Sequence, residues 1–293
     1  MIKLLTYEKR YCMTKKIVFV DVDGTLVTDD GLVPASAKTA IIKARNNGHQ
    51  VYLCTGRSKP ELYDSILSIG FDGIIGAGGG YIEVDDEIIY HKKVANEDVV
   101  HMVDFFHEKN LDFYLESNGG LFASENLEAH LDSLVYGDVE NDPIAREKKA
   151  NNPHPFMTSL TYGETNLYRT DVNKACFLEN KNVPFEEIKN EFSGKFEVLH
   201  CTVPIFGDDS GELMVPDIHK ATAIEFLLAH IGAEKNTTIG IGDGMNDAEM
   251  LTYCETGIAM GNAKEELKLL ADEVTKSVEE DGLYASFLKH GLL

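Results

Sequence analysis

The stretch Ile17-Val18-Phe19-Val20-Asp21-Val22-Asp23-Gly24-Thr25-Leu26 governs how the rest of the chain is read. Its first four residues are apolar without alternation, the pattern of a strand covered on both faces, as in the middle of a parallel sheet. The apolar run stops at Asp21. In open α/β sheets ligands bind just beyond the carboxyl ends of the strands, so two carboxylates and a glycine at this point mark a site as well as a strand end.

On the C-terminal side, Ser36 to Asn47 carries Ala37, Ala40, Ile41 and Ala44 at helical spacing, with Gly48 placed to cap the helix. Gln50 to Cys54 reads as a second strand, Pro60 to Gly70 as a helix and Ile74-Ile75 as a third strand. This alternation predicts an α/β fold with a doubly wound, Rossmann-like parallel sheet. The last third resumes the pattern with a helix from Lys220 to His230, a strand from Thr237 to Ile241, a helix after Asn246, a strand from Gly257 to Met260, a helix from Lys264 and a short strand at Glu273-Val274-Thr275. Between the two ends the texture changes. Helices at Asn96 to Lys109 and Phe185 to Phe192, with strands at Leu111 to Glu116, Asn173 to Leu178 and Phe196 to Leu199, predict an inserted α+β domain. The expected division is a core of residues 1–84 and 208–293, an insert of 85–207, and an extension, 1–14, ahead of the first strand.

Composition narrows the partners. The 293 residues include 49 acidic and 27 basic side chains, a formal net charge of -22, which repels nucleic acid and anionic lipid over most of the surface. No apolar run has the length of a membrane span and no signal-peptide pattern opens the sequence, so a cytoplasmic monomer or homodimer is expected. The five cysteines are odd in number and scattered, as in a reducing compartment, and Cys54 lies within a strand where a buried side chain is expected.

The chemistry gathers at strand ends and helix starts. Asp21 can attack phosphorus, and Asp23, two residues on, can protonate the leaving oxygen and later activate water. Asp243 and Asp247 in Gly242-Asp243-Gly244-Met245-Asn246-Asp247 add carboxylates that would repel a phosphate unless a cation intervenes; Mg2+, which favours oxygen ligands, suits that need. Thr55 and Gly56 offer a hydroxyl and a backbone N–H to phosphoryl oxygens, and Lys220 adds a point charge. Each motif alone has a plain structural reading as a turn, a cap or a solvated lysine. Their order along the chain, each at a strand end or helix start, favours the functional one.

In these residues the chain resembles the haloacid dehalogenase superfamily, whose D-x-D-G-T motif, Thr after the second strand, distant Lys and acidic G-D-x-x-x-D loop are all present. The insert falls where that superfamily's type-2 caps lie, and Asp21 to Leu26 together with Gly242 to Leu251 is similar to the Cof-type branch. The resemblance implies a Mg2+-dependent phosphoric monoester hydrolase acting on a sugar phosphate or cofactor phosphate through an aspartyl-phosphate. It implies Mg2+ held by the Asp21 carboxylate, the Asp23 carbonyl and Asp243, with Asp247 binding directly or from one layer out. Asn246 would lie near the phosphate and Arg57 would place the substrate. The chain departs from the branch at Gly78-Gly79-Gly80, where relatives carry Asn-Gly-Ala. A phosphomutase is the nearest chemical alternative; a receiver domain fits less well because of Asp23 and the chain length, and a non-catalytic metabolite sensor has no positive support. In the insert, Tyr114, Glu116 and Asn118 are candidates to face substrate.

Overall fold

The computed structural model describes residues 15–163, 166–201 and 203–293; the expected extension, 1–14, lies outside them. β1 (Ile17–Val20) is followed by α1 (Ala35–Asn46), β2 (Gln50–Cys54), α2 (Asp64–Leu67) and β3 (Gly73–Gly76), and then by a hairpin of β4 (Tyr81–Val84) and β5 (Glu87–His91). The insert contributes α3 (Asn96–Glu108), β6 (Phe113–Ser117), β7 (Gly120–Ala123), α4 (Leu127–Val135), α5 (Pro143–Asn151), α6 (Pro155–Ser159), β8 (Leu160–Thr161), β9 (Val172–Phe177), α7 (Phe185–Phe192), β10 (Glu197–His200) and β11 (Gly211–Met214). The chain closes with α8 (Lys220–Ile231), β12 (Thr238–Gly242), α9 (Ala248–Tyr253), β13 (Thr256–Ala259), α10 (Glu265–Leu270), β14 (Glu273–Val274) and α11 (Gly282–Lys289).

Two sheets result. One has the order β14-β13-β12-β1-β2-β3-β4-β5, parallel from β14 to β3; the other has the order β10-β11-β9-β6-β7-β8. β1 is central, as its sequence predicts: Val18 and Val20 enter the apolar layer with α1 and α11, while Ile17 and Phe19 enter the layer with α8 and α9. The chain runs outward one way through β2 and β3 and the other way through β13 and β14, so a topological switch falls between β1 and β12.

Three features differ from expectation. The helix expected from Pro60 to Gly70 is broken into a 3-10 turn, Lys59–Glu61, and the single turn α2, with Leu62 extended between them. The Glu61 carbonyl, which a continuing helix would bond to an N–H four residues on, instead accepts Arg57 Nη1 at 2.7 Å. β5 lies beyond the expected start of the insert yet pairs with β4 in the core sheet; Asp85 and Asp86, both at positive φ (50° and 65°), make the tight turn that folds it back. β11 lies beyond the expected end of the insert yet pairs with β9 and β10. Its first residue, Gly211, is packed so tightly that a Cβ would meet the Phe177 ring and the Leu199 carbonyl.

Candidate active site

Asp21, Thr55 and Asp243 stand just past the ends of β1, β2 and β12, three adjacent parallel strands. Asp21 is 5% exposed, and its N–H donates to the Ile241 carbonyl at 3.0 Å, continuing the β1–β12 ladder. Lys220, the first residue of α8, reaches in from below the sheet end. It is 2% exposed and its Nζ donates to Asp21 Oδ1 at 2.6 Å and to Asp247 Oδ1 at 2.5 Å. Asp247 is fully buried, and its other oxygen accepts the N–H groups of Asp243 and Gly244, each at 3.0 Å. That carboxylate therefore folds its own loop around Lys220.

Gly24 shows why this loop tolerates no side chain. Its φ is +73°, and a Cβ there would run into the Asp243 carboxylate. Asp243 is held from two further sides, by Thr25 Oγ1 at 3.2 Å and by Asn262 Nδ2 at 3.3 Å, and the same Asn262 amide donates to the Gly24 carbonyl at 2.8 Å. Asn262 was not among the residues singled out from the sequence. It follows β13, the next strand along from β12, so the strand-end rule could have found it.

At the end of β2, Thr55 Oγ1 accepts the Arg57 N–H at 3.1 Å, which leaves the hydroxyl proton to donate elsewhere. Gly56 faces Asn246, whose Nδ2 is 3.9 Å from where a Gly56 Cβ would be. Arg57 forks onto Asp23, with Nη2 2.6 Å from Oδ1 and Nε 2.9 Å from Oδ2. The Asp23 side chain is thereby turned outward, 63% exposed. The cluster of acids close enough to hold one ion comprises Asp21, Asp243 and Asp247.

The electrostatics of that cluster are unbalanced. One ligand oxygen from each of the three carboxylates lies within 4.8 Å of the others. Burial, reinforced by the charges of Asp247 and Asp243, pushes the Asp21 carboxyl well above the usual range despite Lys220. Burial and Asp247 push Asp243 up to about 6 against the Thr25 bond and Lys220. For Lys220, burial works against the charge, but Asp21 and Asp247 outweigh it and keep the ammonium protonated. With all three ionised, the carboxylates exceed the one ammonium by two negative charges, which one divalent cation cancels, so a bound cation would favour their charged forms. An all-oxygen donor set of this kind fits Mg2+. Cys54, beside the cluster, is buried and its thiol is pushed up by that burial, so it is not a thiolate nucleophile.

The insert candidates are placed differently. Tyr114 is 4% exposed, edge-on to Phe156 and Phe206, while Glu116 is 1% exposed against Lys174. Asn118 Oδ1 accepts Asn173 Nδ2 at 3.0 Å. A cavity of about 310 Å³ in the insert is lined by Glu128, Tyr136, Lys149, Met157 and Tyr162, and none of the acids or of the β2-end residues borders it.

A family model described as haloacid dehalogenase-like hydrolase matches residues 18–287, from inside β1 to inside α11. The chain belongs to the haloacid dehalogenase-like hydrolases. As a hydrolase of this family it is 25% identical to the putative phosphatase YkrA of Bacillus subtilis, across 96% of this chain and 100% of the relative. It is 26% identical to the Bacillus subtilis 5-amino-6-(5-phospho-D-ribitylamino)uracil phosphatase YcsE, across 95% and 96%. Among solved structures, a hypothetical protein from Geobacillus kaustophilus superposes with a TM-score of 0.77 at 24% identity, across 96% of this chain and 100% of the other. The subclass IIB sugar phosphatase BT4131 superposes with 0.70 at 23%, across 95% and 100%. The Rossmann-like core and the inserted domain are thus both within the span shared with these structures. Among the described residues no helix is long and apolar enough to cross a membrane.

Proposed function

We propose that this hydrolase is a Mg2+-dependent phosphatase that removes phosphate from a small polar metabolite through an aspartyl-phosphate on Asp21. The observation that carries the reading is the buried Asp21 carboxylate, aimed by Lys220 at a strand end and surrounded by the oxygen donors of Asp243 and Asp247. The relatives' names, a ribitylaminouracil phosphatase and a sugar phosphatase, support a small phosphorylated substrate.

In this reading Asp21 attacks phosphorus, the bond from phosphorus to the leaving oxygen breaks, and Asp23 gives that oxygen a proton. Asp23 then takes a proton from water as the water attacks the aspartyl-phosphate, which releases orthophosphate and restores Asp21. The Thr55 hydroxyl, the Gly56 N–H and the Asn246 amide hold phosphoryl oxygens, and Lys220 offsets their charge. Mg2+, held by Asp21, the Asp23 carbonyl and Asp243, with Asp247 supporting from its amide-bound position, would stabilise charge on the phosphoryl group. A protonated Asp23 cannot keep both guanidinium bonds, so Arg57 must release it during turnover and becomes available to substrate.

Asp21→Asn should abolish hydrolysis of p-nitrophenyl phosphate while leaving the melting temperature near that of the parent, since an amide is no nucleophile. EDTA should abolish it reversibly, with Mg2+ restoring it. Turnover that survives either treatment excludes the mechanism.

A further inference from the structure

The core meets the insert at the 3-10 turn Lys59–Glu61, and the contact holds an excess of carboxylates. Glu116 of β6 is 1% exposed. Its Oε1 accepts the Cys176 thiol at 3.2 Å and lies 3.3 Å from Lys174 Nζ, but its Oε2 is buried with no hydrogen-bond donor. The group it meets is the Glu61 side chain, whose own Oε2 accepts the Ser58 N–H at 2.9 Å. Two carboxylates cannot bond to each other unless one carries a proton.

The charges agree. Lys174 also binds Glu212 at 2.9 Å, so its one ammonium is already paired with two carboxylates, Glu116 and Glu212, and the Glu61 side chain is a third acid close enough to act on it. Arg57 is committed to Asp23, and Lys59 to Glu83 at 2.6 Å. The remaining titratable neighbours, Tyr63, Tyr114, Cys176 and Cys201, are pushed upward chiefly by burial and stay neutral. Among the described residues no cation here is left for a third negative charge.

We propose that the Glu61 carboxyl keeps its proton and donates it to the Glu116 carboxylate, forming a latch between core and insert that also positions Arg57 and, through it, Asp23. The connection is short. The Glu61 carbonyl accepts Arg57 Nη1 at 2.7 Å, and the same guanidinium grips both oxygens of Asp23. A second bond across the joint, Asn173 Nδ2 to Ser58 Oγ at 3.0 Å, carries no titrating group. Glu61 and Glu116 are thus positioning residues, one on each side of the joint.

The sign of the pH dependence follows. Burial, then the Glu116 charge, holds the Glu61 carboxyl well above its ordinary value of 4.5. The latch is fully formed below the ordinary value and is lost as pH rises through the raised one. Within that interval each pH unit shifts the latched-to-open ratio by up to about tenfold, the limit for one proton.

The test uses the full-length protein. Amide hydrogen exchange of residues 57–63, corrected for the intrinsic rate, is followed from about pH 6 to about pH 9 alongside kcat/KM for p-nitrophenyl phosphate. In the parent, protection should fall as pH rises. Glu61→Gln and Glu116→Gln each place a permanent amide donor opposite a carboxylate, so protection should become independent of pH and the alkaline limb of kcat/KM should flatten. Protection that falls identically in the parent and both variants overturns the latch. If either variant fails to fold, the other reads the same bond from the opposite side. The link to Asp23 rests on the proposed mechanism: flattened exchange with an unmoved kcat/KM profile overturns that link and leaves the latch standing. A parent with no activity overturns the phosphatase reading, while the exchange data still decide the latch.

Discussion

Gly24 and Gly31 offer a controlled pair of substitutions. Both have left-handed backbones, φ +73° and +75°, so replacing either with Ala costs the same conformational strain, about 1–2 kcal/mol. They differ in what a Cβ meets. At Gly31 nothing lies within 4 Å; at Gly24 the Cβ would be 2.6 Å from Asp243 Cγ, 2.9 Å from Oδ1 and closer still to Oδ2. The Asp243 carboxylate must then retreat by about 1 Å, giving up its bonds to Thr25 and Asn262, and a displacement of that size in a catalytic group can cost about 10²-fold. The assays are kcat/KM for p-nitrophenyl phosphate at saturating Mg2+ and the melting temperature. Gly31→Ala should keep parental activity and melt a few degrees lower, at about 2–4 °C per kcal/mol for a unit of this size. Gly24→Ala should lose at least as much melting temperature and about 100-fold in kcat/KM. Activity within about twofold of Gly31→Ala would show that Asp243 does not need the position it occupies, and would refute the reasoning.

Lys220→Met should strip Asp21 and Asp247 of their shared cation and destabilise the fold by about 3–5 kcal/mol by chemical denaturation, with the loss growing from about pH 5 to about pH 8 because neutral carboxyls tolerate burial better than charged ones. Mg2+ at about 100 times its Kd should raise stability by about 2.7 kcal/mol in a thermal-shift titration, and Asp243→Asn should weaken that response. Asn262→Ala, which frees both Asp243 and the Gly24 carbonyl, should lower Mg2+ affinity or kcat/KM by about 10–100-fold, read by titrating activity against the metal.

Much of this was legible in the sequence because local pattern and tertiary role coincide. Ile17 to Val20 is apolar on both faces because both faces are covered, and Asp21 stands out because it ends that run. Lys220 opens α8, and Asp243 directly follows β12, as helix and strand signals predict. Where the pattern and the structure differ, a partner that the periodicity does not show decided the outcome. Leu62, Ile66 and Ile69 have helical spacing, but the Arg57 guanidinium takes the carbonyl that the helix needed. β5, beyond residue 84, pairs in the larger sheet and β11, beyond residue 208, pairs in the smaller one; a hairpin's pattern names its partner strand and not the sheet beyond it. In Gly78-Gly79-Gly80 the middle glycine is the one the branch shares, and its φ of +115° and closeness to the His219 carbonyl require it; the departure at Gly78 faces Met214 of β11, where a larger residue would press on the insert.

The pairing of β1 with β12 has a consequence for biosynthesis. Ile17 is in register with Thr238, so the strand bearing Asp21 must wait for a neighbour encoded 221 residues later. At about 5–20 residues per second that wait is roughly 10–45 s, longer than the folding time of most small domains. During it β1 can pair with β2 but has an open edge on its other side, and Asp21 has no Lys220 beside it. The nascent chain therefore carries Asp21 without its cation and β1 without one neighbour until its final third emerges. A ribosome stalled before Thr238 would leave that edge of β1 without its partner strand.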